Sequence, residues 1–179
     1  MDHTDHVNLL RPASLDKGGS WADLGAGSGA FTFALRELIG PTSTIYAVDK
    51  DRSSLDSLKS EYRSRFENDE NLHIQVGDFS RALNLPPLDG ILAANSLHYF
   101  KDRVKVLQHI KSFLKPNGKL IVIEYNVDSG NPWVPYPFSF GSFGKLALQA
   151  GFTDPQLLAT NPSRFLREFY SALTFKAGA

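Results

Sequence analysis

Short apolar runs alternate along the chain with segments in which apolar residues recur every three or four positions. The first pattern is typical of buried strands, and the second is typical of amphipathic helices. Strands are therefore predicted at 20–24, 45–49, 72–76, 90–94, 119–125, 153–159 and 168–175. Helices are predicted at about 4–11, 28–39, 53–62, 104–114 and 143–150. Strands that alternate with helices in this way predict a mostly parallel sheet with helices on both faces.

The boundaries and the last third of the chain add detail to this pattern. Ser53 is expected to cap the helix after the second strand, and a turn is expected at 115–118. Residues 126–138 are rich in proline and aromatic residues and show no periodicity, which indicates an ordered loop of functional importance. The last two strands are joined closely enough to pair antiparallel.

Composition fits one folded domain of 179 residues. Residues 1–17 are expected to form a short N-terminal segment, and 18–179 the domain itself. Nineteen basic residues balance nineteen acidic ones, so no overall field attracts nucleic acid or an anionic membrane. The chain has no cysteine, no signal-peptide pattern and no apolar run long enough to span a membrane. A cytoplasmic protein is expected, without a metal site because the histidines at 3, 6, 73 and 109 are scattered.

The segment from Trp21 to Ala30 carries the clearest functional signal. An apolar strand runs into a glycine-rich turn at 25–29, and an amphipathic helix follows. Glycines allow a tight turn and the close approach of a ligand, and the helix N-terminus offers unpaired N–H groups. Parallel sheets build nucleotide sites in this way at the carboxyl ends of their strands. The motif fits both a dinucleotide fingerprint and the tighter Gly-x-Gly-x-Gly loop.

Two aspartates at strand ends support a nucleotide that contains ribose. Asp49 ends the second strand, where a carboxylate can accept hydrogen bonds from both ribose hydroxyls, although it can also be a helix cap. Asp78 ends the third strand, where it can accept a hydrogen bond from the exocyclic amine of adenine, and Phe79 offers an apolar edge beside it. Taken alone, Asp78 can equally be a turn residue.

Together these positions resemble the class I S-adenosylmethionine-dependent methyltransferases, in particular the small-molecule type. The resemblance covers about 18–178 and rests on segments 23–29, 47–49, 77–79, 95–100 and 114–120. It implies a single-domain, doubly wound α/β fold with seven strands in the order 3-2-1-4-5-7-6 and strand seven antiparallel. It also implies S-adenosylmethionine as the cofactor and a small-molecule acceptor. Segment 95–98 lacks the prolines expected of enzymes that methylate nucleic-acid amino groups.

The resemblance also implies where each part of the cofactor lies. It places the methionine part near Asp23 and Asn95, and it places the adenine near Asp78. Lys50 stands where an apolar residue often packs on adenine, and its aliphatic stem can still cover the ring. The complete set of expected cofactor residues is Asp23, Gly25, Ala26, Gly27, Gly29, Asp49, Lys50, Asp78, Phe79 and Asn95.

Methyl transfer from a sulfonium needs mainly alignment, and it needs a base only when the acceptor must lose a proton. His98 and Glu124 lie at the ends of the fourth and fifth strands, where the methyl group is expected, and are candidate catalytic residues. His98 can instead be a packing residue, and Glu124 can orient the loop. Tyr125, Trp133 and Tyr136 are candidate substrate-binding residues, although the last two can also pack the loop on the sheet.

Two other functions use the same glycine turn. The first is an NAD(P)-dependent oxidoreductase, which the missing Tyr-x-x-x-Lys pair and the lack of a second domain disfavour. The second is a non-catalytic nucleotide-binding module, which the intact glycines and both aspartates disfavour. The sequence does not predict the oligomeric state or the methyl acceptor.

Overall fold

Seven strands form one sheet in the computed structural model, which describes residues 1–178. They are β1 (Ser20–Leu24), β2 (Thr44–Asp49), β3 (Leu72–Val76), β4 (Leu88–Ala94), β5 (Leu114–Tyr125), β6 (Gln156–Pro162) and β7 (Glu168–Phe175). Their order is β3-β2-β1-β4-β5-β7-β6. Strands β1 to β5 pair in parallel, whereas β7 runs antiparallel to both β5 and β6. The predicted strand order and the antiparallel seventh strand are confirmed.

Five α-helices cover the two faces of this sheet. They are α1 (His3–Leu10), α2 (Ala30–Ile39), α3 (Arg52–Phe66), α4 (Arg103–Lys111) and α5 (Phe140–Ala150). Buried side chains of α1, α2 and α3 form one core with alternate residues of the strands, and those of α4 and α5 form a second core on the opposite face. In β5, for example, Ile121 and Ile123 belong to the first core, whereas Leu120 and Val122 belong to the second. Strands buried on both faces explain the nearly continuous apolar runs.

The predicted helix at 104–114 is wrong at its end. Helix α4 stops at Lys111, and Leu114 begins β5 by pairing with Leu88. The register then shifts, and Gly90 pairs with Lys119, so the expected turn at 115–118 is an irregularity within the strand. Leu114 is buried in the same core as Ile110, which is why its spacing matches a helix although its backbone is extended.

Several other boundaries also differ from the prediction, and three of them have a clear local cause. Asp51, not Ser53, caps α3, and its side chain accepts a hydrogen bond from the Ser53 N–H at 3.0 Å. Helix α2 begins at Ala30 because Gly29, at φ 96°, lies in the left-handed region before it. Strand β6 begins at Gln156, directly after Pro155, which has no N–H to donate to a sheet.

The N-terminal helix packs on the core of the domain. Leu9 and Leu10 are buried, and the Ser171 hydroxyl of β7 donates a hydrogen bond to the Leu9 carbonyl at 2.6 Å. The boundary between residues 17 and 18 stays a prediction. Among the described helices, none has the length and apolar character needed to cross a bilayer.

Candidate functional site

The glycine turn after β1 lies close to β2 and to the segment that follows β4. The N–H groups of Gly25 and Ala26 both donate to the Val48 carbonyl, at 2.8 and 3.0 Å. Gly25 has φ 84°, and a Cβ on it would lie 2.5 Å from the Ser96 Cβ, so a side chain is excluded there. A Cβ on Gly27 would meet nothing within 4 Å. The turn is therefore packed tightly on one side and open on the other.

Asp49 connects β2 to this turn. One carboxylate oxygen accepts a hydrogen bond from the Gly27 N–H at 2.9 Å, and the other accepts one from the Asp51 N–H at 2.9 Å. An ionised carboxylate can accept about four hydrogen bonds, so each oxygen can still accept one from a ligand. Asp49 is thus a ligand-binding candidate and a structural support of the glycine turn. It does not cap α3, because Asp51 does so.

Asp78 lies at the exit of β3 in a cluster of polar contacts. It accepts hydrogen bonds from the N–H and hydroxyl of Ser80 at 2.9 and 2.7 Å, and the Lys50 ammonium lies 2.9 Å from its other oxygen. Partial burial alone would raise the pKa of Asp78, but the Ser80 hydrogen bonds and Lys50 outweigh it and lower that pKa to about 2. The carboxylate therefore stays ionised and able to accept hydrogen bonds at neutral pH.

A cleft of about 510 Å³ opens at the carboxyl ends of the parallel strands, beside these groups. Its volume falls within the usual range for cofactor pockets. The lining residues come from the exits of β1, β2, β3 and β4, and they are Gly25, Asp49, Lys50, Gly77, Phe79, Asn95, Ser96, Tyr99 and Phe100. Five of the ten predicted cofactor residues belong to this set. The other five, which are Asp23, Ala26, Gly27, Gly29 and Asp78, lie outside it.

The lining also contains residues to which the sequence analysis gave no role. Ser96 donates a hydrogen bond to the Leu24 carbonyl at 2.7 Å and so fixes the segment after β4 to the end of β1. Phe100 packs edge-on against Phe79, with ring centroids 5.1 Å apart, and forms an apolar wall. Both residues lie in segment 95–100, which carried the resemblance, so their position gave a signal but their contacts did not.

Asn95 occupies the exit of β4 in an unusual conformation. Its φ is 52°, in the left-handed region that asparagine tolerates better than most residues. The side-chain oxygen is buried, lines the cleft and has no hydrogen-bond partner in residues 1–178. Because a buried polar atom without a partner is costly, this oxygen marks a place where a bound ligand would donate a hydrogen bond.

Asp23 lies behind the glycine turn and does not face the cleft. It is 1% exposed, and it accepts a hydrogen bond from the Thr32 hydroxyl at 2.6 Å. Burial, together with the nearby charge of Asp49, raises the pKa of Asp23 to about 7 despite the Thr32 hydrogen bond. Asp23 therefore connects β1 to α2 from the core side.

His98 and Glu124 form a buried pair between the exits of β4 and β5. The His98 Nδ1 lies 2.7 Å from one Glu124 oxygen, and the other oxygen accepts hydrogen bonds from the N–H groups of Leu97 and His98 at 3.0 and 3.2 Å. His98 is 2% exposed, and Glu124 is fully buried. The His98 Nε2 is buried without a partner among the described residues. The carboxylate thus fixes the imidazole through Nδ1 and leaves Nε2 available.

The loop at 126–138 is attached to this pair by its backbone. The Tyr136 N–H donates to the His98 carbonyl at 2.9 Å, and Arg103 donates to the Tyr136 carbonyl at 2.8 Å. Phe138 is buried, as core packing requires, but Trp133 is 71% exposed and Tyr136 is 39% exposed. Neither Trp133 nor Tyr136 lines the cleft. The loop therefore borders the pair and leaves two aromatic side chains exposed.

Several known proteins are similar to this chain in sequence. Residues 15–149 match a family model described as a methyltransferase domain. The demethylmenaquinone methyltransferase of Lactobacillus johnsonii is 29% identical over 160 residues, which cover 84% of this chain and 63% of that protein. The arsenite methyltransferase of Aquipseudomonas alcaligenes is 27% identical over 172 residues, which cover 86% of this chain and 49% of that protein.

A solved structure shares the fold over almost the whole chain. The SAM-dependent methyltransferase of Aquifex aeolicus superposes with a TM-score of 0.75 at 20% identity, covering 97% of this chain and 90% of that one. This chain spans 63% of the length of the first of these two curated relatives and 49% of the second.

Proposed function

Because this chain belongs to the methyltransferase domain family, we propose that it transfers a methyl group from S-adenosylmethionine to a small-molecule acceptor. The resemblance stated from the sequence is confirmed, and S-adenosylmethionine is the cofactor of this class. The assignment of individual residues and the nature of the acceptor are proposals, and they depend on the geometry of the site.

The residues of the cleft fit this cofactor. Asp49 would accept hydrogen bonds from the ribose hydroxyls with the lone pairs that Gly27 and Asp51 leave free. Beside the cleft, the open side of Gly27 would let the cofactor approach the backbone. The unpartnered Asn95 oxygen would accept a hydrogen bond from the amino group of the methionine part. Phe79 would lie against the adenine. The observation that supports the proposal most strongly is the Asp49 carboxylate, which holds the glycine turn and still faces the cleft.

The remaining cofactor residues would act from beside the cleft. Asp78 would accept a hydrogen bond from the adenine amine, and its contact with Lys50 would bring the lysine stem over the ring. Ala26 and Gly29 would shape the turn, and Asp23 would hold the turn against α2 through its buried hydrogen bond.

We further propose that His98 acts as a general base, with Glu124 as its positioning residue. S-adenosylmethionine supplies an electrophilic methyl group, and the electron pair of the broken S–C bond stays on sulfur. As a lone pair of the acceptor attacks the methyl carbon, the His98 Nε2 would take the proton that the acceptor loses. The imidazole would later release that proton to solvent. Glu124 accepts from Nδ1 and from two backbone N–H groups, so it holds both the ring and its backbone in place.

A small molecule fits the chain better than nucleic acid does. The charges of the chain balance, whereas a surface that follows phosphates requires an excess of basic residues. The chain contains no cysteine, and arsenic(III) is a soft ion that prefers thiolate ligands. The acceptor named for the arsenite relative therefore does not fit these residues.

Calorimetry and methyl transfer test the proposal together. S-adenosylmethionine and S-adenosylhomocysteine should bind the purified chain, whereas NAD and NADP should not, and binding of NAD or NADP alone would reverse the assignment. With a small-molecule acceptor found by tritiated-methyl screening, His98→Gln should lower kcat by about 10²–10⁴-fold. Its cofactor Kd should stay within about twofold, and Glu124→Gln should lower kcat in the same direction. A normal kcat in His98→Gln would show that the reaction uses no base at this position.

A further inference from the structure

A series of aromatic side chains runs from the cofactor cleft, across the buried histidine, to the β6–β7 hairpin. We propose that Tyr99, Tyr125 and Phe165 are the specificity-determining wall of the acceptor site. We also propose that the acceptor is a flat, unsaturated molecule that carries a hydroxyl or carbonyl oxygen, such as a phenol or an enol. This inference rests on the proposed methyltransferase function and adds the chemical class of its substrate.

The ring positions carry the first step. The Tyr99 ring lies 4.3 Å from the His98 ring, centroid to centroid, and the Tyr125 ring lies 6.3 Å from the His98 ring. Phe165, at the tip of the β6–β7 hairpin, lies 6.0 Å from Tyr125. The Phe169 ring packs against the Tyr125 ring, with 4.3 Å between the ring centroids. Tilted rings at about these separations are typical of favourable aromatic contacts, so a flat ligand could add one more ring to the wall.

Exposure shows which members of this wall are accessible. Tyr99 is 60% exposed and Phe165 is 52% exposed, although both are large apolar side chains. Tyr99 also lines the cofactor cleft. The wall is therefore continuous with the cleft at one end, and its two tyrosine rings contact the ring of the buried His98 on the way to the hairpin. An acceptor on this wall would lie between the methyl group and the proposed base.

The hydroxyls of the two tyrosines indicate an oxygen function on the acceptor. Among residues 1–178, neither hydroxyl is hydrogen-bonded to a protein group, although Tyr125 is partly buried. Burial, followed by the charge of Glu124 and the proximity of Tyr99, raises the pKa of Tyr125, so its hydroxyl keeps its proton and can donate. Two O–H donors beside an imidazole acceptor suit a molecule whose oxygen gains negative charge as its proton leaves.

The local charges disfavour a cationic acceptor. Glu124, the carboxylate behind the wall, already accepts three hydrogen bonds and is not available to bind an ammonium group. Arg164 and Arg167 flank Phe165 on the hairpin and are exposed, so they place two positive charges at that end of the wall. An aliphatic amine therefore could not pair with Glu124, whereas a neutral or anionic ring needs no carboxylate partner and would contact the aromatic wall.

A matched pair of ligands tests the inference by direct binding. We would measure the Kd of 2-naphthol and of decahydro-2-naphthol, which differ in flatness but share one hydroxyl, by saturation-transfer NMR in saturating S-adenosylhomocysteine. The flat compound should bind at least about tenfold more tightly, because two or more aromatic contacts distinguish it. Equal affinities, or no binding of either compound up to its solubility limit, would overturn the inference.

Variants separate the ring from the hydroxyl. Tyr99→Leu and Phe165→Leu should each weaken 2-naphthol about three- to tenfold, whereas Tyr99→Phe should keep most of the ring contribution. Leu148→Ala changes an exposed apolar residue of α5 and serves as the control that should not alter the Kd. Cofactor affinity should be normal in Phe165→Leu. If the chain binds no S-adenosylmethionine, the proposed function fails; if it binds cofactor but the wall variants bind naphthol normally, only this inference fails.

Discussion

Replacing Asp49 by alanine should damage the protein in two separable ways. The carboxylate supports the glycine turn through the Gly27 N–H and fixes the Asp51 N–H, and we propose that it also binds the ribose. The Asp49→Ala variant should therefore lose stability without ligand and lose cofactor affinity in addition. A residue that only faced a ligand would affect the second quantity alone.

The magnitudes follow from the hydrogen bonds involved. Hydrogen bonds to a charged group contribute about 1.5–3 kcal/mol each when buried. Asp49 is partly exposed, and water can reach the freed N–H groups, so we expect a total loss of about 1–3 kcal/mol in the free energy of unfolding. That loss corresponds to roughly 3–9 °C in Tm for a domain of this size. Two lost ribose contacts should weaken S-adenosylmethionine by about 3 kcal/mol, or about 100-fold.

Asp51→Ala is the matched control for this variant. It removes the cap of α3, which accepts from the Ser53 N–H and the Ser54 hydroxyl, but it keeps the backbone N–H that donates to Asp49. It should cost about 1 kcal/mol of stability and leave the cofactor Kd within about twofold. Urea denaturation and calorimetry measure the two quantities. If Asp49→Ala binds cofactor as tightly as Asp51→Ala does, Asp49 is a structural residue only.

Three further predictions concern the same site. The pKa of Asp23 is about 7 in the fold against an ordinary 3.8, so the folded state holds a proton that the unfolded state releases. The stability from this group is complete below about pH 4 and is lost as the pH rises through 7, by at most about 4 kcal/mol. Urea denaturation at pH 5 and pH 8 should show this decline in the free energy of unfolding in the wild type but not in Asp23→Asn. Lys50→Met should change the free energy of unfolding by less than about 1 kcal/mol, since the lysine is mostly exposed, and it should change the cofactor Kd by less than about threefold. By calorimetry, Asp78→Asn should weaken cofactor binding at least about tenfold. Joint replacement of Trp133 and Tyr136 by alanine should leave cofactor Kd nearly intact but lower acceptor turnover at least about tenfold; normal turnover would make the loop structural.

Half of the predicted cofactor residues line the cleft because local sequence marks the strand exits that form it. Each strand exit carries its own signal, such as a glycine turn or a terminal aspartate, and parallel strands bring those exits to one edge. The sequence did not predict which of these residues line the cleft and which support the turn from behind. Asp23 was predicted to contact the ligand but is buried against Thr32. Ser96 was given no role, but its hydroxyl is bonded to the Leu24 carbonyl at the end of β1. Such roles depend on side-chain direction across neighbouring strands, which one-dimensional spacing does not record.

The acceptor side was less predictable because its geometry is non-local. Tyr99 and Phe165 lie in short connections between regular elements, and nothing in the spacing shows that they are exposed or that Tyr125 lies near Phe165. The aromatic loop at 126–138 drew attention through its composition, yet its Phe138 is core and its Trp133 points outward. Composition identified a loop that borders the His98–Glu124 pair but did not predict which of its rings are exposed.

Glu124 shows how far a physical reading of the sequence reaches before the fold is needed. A carboxylate that ends an apolar strand must find donors, because an unpaired buried charge is too costly to keep. That argument requires partners for Glu124 but does not identify them. The parallel register of β4 and β5 pairs Ala94 with Ile123, so the residues after Ala94 turn across the end of β5 and bring three donors of Leu97 and His98 to Glu124. The proposed base is therefore oriented by the strand register, and a change that shifts this register should misplace His98 without touching the cofactor residues of β1 and β2.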